Sequence, residues 1–280
     1  VQNDPRLAAP LLNSPFTHGL IGVLMRKGQD DLLTLVNAVI AQMLPDGVVK
    51  GGSSLMFRYG GESTRYTRDV DAARVMDMEQ YRQKLEDALA EGWNGFGGKL
   101  VAVEPPAPKG VPSSYVMIPF DVKLSYCGRP WQTVRIEIGH NEIGDADEFD
   151  LSLPESVAVA FELLSLPRPR PVPTMKLSYQ VAQKLHAVSE PGSERAHDLI
   201  DLQLIVSNAE LDMAEVRRIC ERLFQYRCRQ TWPTTVIKGE GWDKIYLDAR
   251  ATIFAPSDIL PTADEAVVWV NDLVDRIVDA

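Results

Sequence analysis

Apolar residues at Leu32, Leu33, Val36, Val39, Ile40 and Met43 recur every three or four positions, which predicts an amphipathic helix over 30–44. Asp30 and Asp31 stand near its start, where the positive end of the helix dipole favours carboxylates. Val48-Val49-Lys50 reads as a short strand running into Gly51-Gly52-Ser53, and 54–59 then read as the first turns of a helix. A further helix is predicted over 78–90. Strands follow at 100–103, 115–126 and 133–138, the last two rich in β-branched or aromatic residues and separated by Cys127-Gly128-Arg129-Pro130. Beyond them the spacing turns helical, with candidates at 175–189, 193–207, 212–229 and 262–278.

Two proline tracts punctuate this pattern. Residues 104–112 (EPPAPKGVP) suit neither a helix interior nor a central strand and read as a loop. Residues 166–173 (LPRPRPVP) read as a stiff connector. The expected fold is therefore α+β: a first domain, 1–166, with a small mixed sheet and helices against it, and a helical second domain, 174–280. No internal repeat is visible.

Composition narrows the classes. The chain has 280 residues, 45% of them hydrophobic, enough for a sizeable core. Cys127, Cys220 and Cys228 form no C-x-x-C pair, and their spacing suits a reducing cytoplasm better than a disulfide framework. No basic leader precedes a long apolar stretch and no run approaches membrane-spanning length, so neither secretion nor a membrane span is expected. A net charge of -10 argues against a general nucleic-acid coat, which works by neutralising phosphates. Arg217, Arg218, Arg222, Arg227 and Arg229 could form a local basic strip or, with Glu215 and Glu221 interleaved, a solvated helix face.

Candidate chemistry concentrates at two places. In extended backbone Asp69 and Asp71 point to one side, with Val70 and Ala72 on the other. Carboxylates held that close repel, and a hard cation such as Mg2+, which also takes phosphate oxygens, relieves them. Gly51 and Gly52 let the backbone approach a ligand, Ser53 offers a hydroxyl, and amides at a helix start favour a triphosphate. Arg65 and Arg68 stand just before the acids, able to contact phosphates or to form turn salt bridges. Glu137, on a strand where it shares a face with Arg135, is a candidate third carboxylate.

In the second half Arg195, Asp198 and Asp201 follow at intervals of three and share one helix face, beside a stripe of Leu199, Leu202 and Ile205. Spacing alone fits an ion network at a packing edge. Lys184, in Gln180-Val181-Ala182-Gln183-Lys184-Leu185, is by itself an ordinary snorkelling lysine.

The order strand, Gly-Gly-Ser, helix, strand with Asp-x-Asp resembles the polymerase-beta-like nucleotidyltransferases. The fuller string Lys50-Gly51-Gly52-Ser53-Ser54-Leu55, Tyr59-Gly60-Gly61 and Thr67-Arg68-Asp69-Val70-Asp71 resembles their AbiEii/AbiGii toxin branch. The resemblance continues in Ala182-Gln183-Lys184-Leu185 and in 195–202 (RAHDLIDL), covering about 48–75 and 176–205. Gln183 replaces the usual acid, and two residues separate Arg195 from Asp198. The resemblance implies a toxin of a toxin–antitoxin pair that moves a nucleoside monophosphate from an NTP to RNA, in some members at the tRNA 3′ acceptor end. It also implies a nucleotidyltransferase-like first domain, Mg2+ held by Asp69 and Asp71, NTP contacts from Gly52, Ser53, Arg65 and Arg68, catalytic Lys184 and Asp198, and a cognate antitoxin. Asp198 would orient Lys184 or accept a proton, and Glu137, Arg195 and Asp201 are additional candidates.

Two other readings use the same residues. His186, His197-Asp198 and Asp201 suggest a metal-dependent HD-type phosphohydrolase, although that scheme spreads its ligands more widely. A non-catalytic partner-binding relative would lack a metal carboxylate, and both are present. Residues 92–99 (GWNGFGGK) look like a Walker A loop, but Leu100 stands where Ser or Thr is needed, so they read as a glycine-rich turn.

Overall fold

The computed structural model describes residues 29–67, 69–107, 116–254 and 256–280. They divide into two compact units, one drawn from 29–61, 67–140 and 151–174, the other from 62–66, 141–150 and 175–280.

In the first unit the chain runs through α1 (Gln29–Ala41), β1 (Gly47–Lys50), α2 (Gly51–Tyr59), β2 (Asp69–Arg74), α3 (Met78–Glu91), β3 (Phe96–Ala102), β4 (Ile118–Tyr126) and β5 (Arg129–His140), then β6 (Phe149–Ser152), α4 (Glu155–Leu163) and β7 (Val172–Met175). The strands form a mixed sheet ordered β3-β4-β5-β2-β1-β7-β6. Central β2 is parallel to β5 and antiparallel to β1. Alternation decides its faces: Val70 and Ala72 are buried with Val134, Ile136 and Ile138 of β5, and the charged residues take the other side. Tyr81, Leu85 and Leu89 of α3 and Val36 and Val39 of α1 complete this core. A two-residue turn with positive φ at Cys127 (48°) and Gly128 (75°) joins β4 to β5, the twist that a tight hairpin favours.

The second unit is helical: α5 (Leu177–Ser189), α6 (His197–Asn208), α7 (Met213–Arg227), α8 (Trp242–Arg250) and α9 (Ala263–Val278). Val181, Leu185, Leu199, Leu202, Ile205, Leu223, Val270 and Leu273 are its buried apolar stripes. Side-chain caps fix two helix starts. Asp212 accepts from the Glu215 amide and Thr262 from the Glu265 amide, at 3.0 and 3.2 Å.

The structure departs from the sequence expectations at several points. Gly97 and Gly98 lie inside β3 rather than in a turn, because side chains there would meet Leu89 of α3: its carbonyl lies 3.2 Å from a Cβ on Gly97 and its Cδ2 3.2 Å from one on Gly98. The α2 helix begins at Gly51, earlier than expected. By contrast α6 begins at His197 rather than Ser193, since the Ser193 carbonyl accepts from the Trp242 indole at 2.6 Å. Four elements were not anticipated: β6, α4, β7 and α8. The tract 166–173 runs directly into β7 and is pinned by Gln42, which accepts from the Arg170 amide at 2.8 Å and donates to its carbonyl at 3.2 Å. Arg68, Tyr115 and 108–112 of the first proline tract lie outside the described residues.

Candidate active site

In the first unit, Asp69 pairs in register with Arg135 and Asp71 with Glu137 across β2 and β5, so three carboxylates share one sheet face. Lys50 on β1 stands opposite Asp71. The chain then turns through Gly51 at φ +63°, where a Cβ would lie 2.2 Å from Asp71 Oδ2. Only glycine lets that carboxylate rest against the turn. Ser53, fully buried in the first turn of α2 beside buried Gly52, donates its hydroxyl to the Asp69 main-chain carbonyl at 2.6 Å. Glycine turn and acidic strand are thus fastened at two adjacent points, with the first-turn amides of α2 free of i−4 partners. Arg135 donates to Asp121 at 2.7 Å.

This donor set suits a hard cation. It offers only carboxylate oxygens, and among the described residues no three His, Cys, Asp or Glu side chains form a protein-only cage. Mg2+ needs no such cage, since it binds through one or two carboxylates plus water and phosphate. Asp69 and Asp71 would hold it.

In the second unit, Lys184, Asp198 and Asp201 are 4%, 0% and 1% exposed, a burial that charges tolerate only when paired. The Lys184 ammonium donates to Asp198 Oδ1 at 2.8 Å and Asp201 Oδ2 at 2.6 Å. Arg65 forks onto Asp201 at 2.9 and 2.8 Å, and Arg195, just ahead of α6, donates to Asp198 Oδ2 at 2.8 Å. Burial pushes the Asp198 carboxyl up, but Lys184, then Arg195, outweigh it and hold the group far below the usual carboxylate range. Asp201 is likewise depressed, its burial overcome by Arg65 and Lys184.

The family profile described as "Nucleotidyl transferase AbiEii toxin, Type IV TA system" matches residues 34–268. The chain belongs to the AbiEii family. It is a nucleotidyltransferase, and membership implies an NTP substrate and an antitoxin partner. No curated protein matches the sequence. Among solved structures, JHP933 from Helicobacter pylori is similar at 15% identity and TM-score 0.47, over 91% of this chain and 93% of that one. MenT4, a nucleotidyltransferase toxin from Mycobacterium tuberculosis, is similar at 16% identity and TM-score 0.46, over 89% of each chain. No helix among the described residues of this AbiEii-family chain is long and apolar enough to cross a membrane.

Side chains of the arginine-rich α7 region are engaged within the second unit. Arg217 meets Glu221, Arg222 the Ile143 carbonyl, Arg227 Glu142 and Arg229 Glu190, so four of the five arginines are engaged, while Arg218 is exposed. The histidines are also held back. Burial, then Arg227 and Arg229, lower His186 to about 3, and burial lowers His197 to about 4 despite Asp198. Both should stay neutral from about pH 5 to 8, as an NMR titration of their ring protons would show. Because the unfolded chain protonates near pH ~6.5 while the folded one resists, they withdraw stability as pH falls from there towards the two depressed values.

Sequence reasoning missed the Arg65–Asp201 fork, whose partners lie 136 residues apart and leave no local signal. Gly51→Ala tests the turn. It should cost about 1–2 kcal/mol for the left-handed backbone, plus displacement of Asp71. Urea unfolding and transfer rate, measured together, would report both losses.

Proposed function

We propose that this AbiEii-family enzyme transfers a nucleoside monophosphate from an NTP to RNA, at the 3′ acceptor end of tRNA, with Mg2+ held by Asp69 and Asp71. The observation that carries the reading is the contact of Asp71 with the Gly51 turn, which puts an acid pair beside the amides at the start of α2. The acceptor hydroxyl oxygen forms a bond to the α-phosphorus and gives its proton to solvent, the bond from that phosphorus to the bridging oxygen breaks, and pyrophosphate leaves. Bound Mg2+ supplies charge neutralisation to the phosphates. Gly52 and the neighbouring amides bind the outer phosphates. The Ser53 hydroxyl, committed to the Asp69 carbonyl, braces the turn. Glu137 adds a third carboxylate to that face.

Lys184 and Asp198 take the catalytic roles that the resemblance implies, Lys184 as the basic counter-charge in the helical domain, 174–280. A carboxylate held as low as Asp198 is a poor proton acceptor, which favours its orienting Lys184. Arg65 and Asp201 brace the same lysine. Arg68 contacts the nucleotide by resemblance alone. The enzyme acts in the cytoplasm as the toxin of a cognate antitoxin.

Incubation with each labelled NTP, Mg2+ and total tRNA tests the proposal. Label should enter RNA and be lost on chelation; label entering protein instead, or surviving chelation, would overturn the acceptor or the metal.

A further inference from the structure

Lys50 ends β1, and its pairing opposite Asp71 sends its side chain out on the face of the three acids. Most of that side chain is covered, Lys50 being 8% exposed, while its ammonium keeps contact with solvent. A Cβ added to Gly139 would meet its Nζ at 2.9 Å and its Cε at 3.6 Å. The stem therefore crosses β2 at the row of Ala73, and the ammonium rests on Gly139 of β5, the residue paired with Ala73 and two positions beyond Glu137. Small residues at both places make the room. Among the described residues Lys50 has neither a hydrogen bond nor an ion-pair partner.

An ammonium set back from bulk solvent favours a partner of opposite charge, and the described residues give this one no direct hydrogen bond or ion pair. An anion bound on that face can supply one. A second feature on the same stretch of chain also favours an anion: the residues after Lys50 open α2, whose first-turn amides carry partial positive charge. The acids repel an anion unless a cation accompanies it, so the ligand that satisfies lysine, amides and carboxylates together is a metal-bound phosphate chain.

We propose that Lys50 binds a phosphate group of the NTP, a contact that rests on the nucleotidyl-transfer reading above and adds a residue to it. Lysine here acts as a point charge from beneath the triphosphate, while the amides of α2 supply directional donors.

Two variants test it. Lys50→Met keeps most of the stem and removes the charge. Gly139→Ala keeps the lysine but pushes its flexible end aside with one methyl group. Binding of α,β-methylene NTP analogues, and of the corresponding nucleosides, is measured by calorimetry with Mg2+, with urea unfolding confirming that each variant is folded. Lys50→Met should weaken analogue binding about ten- to hundredfold, as expected for one charge-assisted hydrogen bond. Gly139→Ala should weaken it in the same direction by less, and nucleoside binding should not move in either variant. Unchanged analogue affinity in both folded variants would overturn the proposal while leaving the transferase reading intact. So would tighter Mg2+ binding by Lys50→Met with unchanged nucleotide affinity, which would make the lysine an internal counter-charge for Asp71 and Glu137. Failure of the wild-type protein to bind any analogue with Mg2+ would overturn the transferase reading as well.

Discussion

Asp71→Asn should lower nucleotidyl transfer about 10³-fold or more, because a metal's charge stabilisation is worth several kcal/mol and each 1.36 kcal/mol is tenfold in rate. The substitution preserves the side-chain volume that rests against Gly51 and removes only the charge. Asp69 and Glu137 share the face with Asp71, beside Arg135, whose charge attracts both. Activity should therefore disappear in a protein that remains folded. Initial rates of label incorporation across a Mg2+ series, with urea unfolding of the metal-free protein, measure both. An Asn variant within tenfold of the wild type would show that Asp71 does not hold the metal.

Lys184→Met should destabilise the protein at pH 7 by about 3–5 kcal/mol, the usual result of stripping one partner from a buried ion pair. The lysine serves two fully buried carboxylates. Without it Asp198 keeps Arg195, whose side chain is half-exposed, and Asp201 keeps Arg65. In the wild type both carboxyls hold protons less tightly folded than unfolded. Unfolding therefore takes up protons in acid, and the stability that these groups contribute is full above about pH 4 and lost below it. Losing Lys184 raises both groups towards their unfolded values, so the gap between variant and wild type should narrow as pH falls through that range. Urea midpoints at pH 7 and at about pH 2 would show this; a loss under about 1 kcal/mol at pH 7 would mean that the network is not a stability element. Any activity lost by a Lys184 variant must be read beside this cost.

Much of this arrangement was written locally in the chain. Alternation through Asp69-Val70-Asp71 gave the faces of β2, and helical spacing placed α7 and α9 within a residue or two. What escaped was set by partners remote in sequence. Gly97-Gly98 reads as a turn until Leu89 is known to pack on it. The β7 strand carries a proline, and its pairing with β1, Thr174 against Val49, overrides that local discouragement. The nine-residue α8 is too short for its periodicity to stand out. Arg195 shares a charged face with Asp198 by spacing, yet reaches it from outside the helix.

The fork from Arg65 to Asp201 also governs how the polypeptide can be cut. A fragment starting after the proline tract would contain Asp201 but not the arginine that neutralises it, and would lack 141–150 as well. The helical half is therefore a poor candidate for separate expression, whereas a circular permutant that keeps 62–66 joined to it retains that counter-ion.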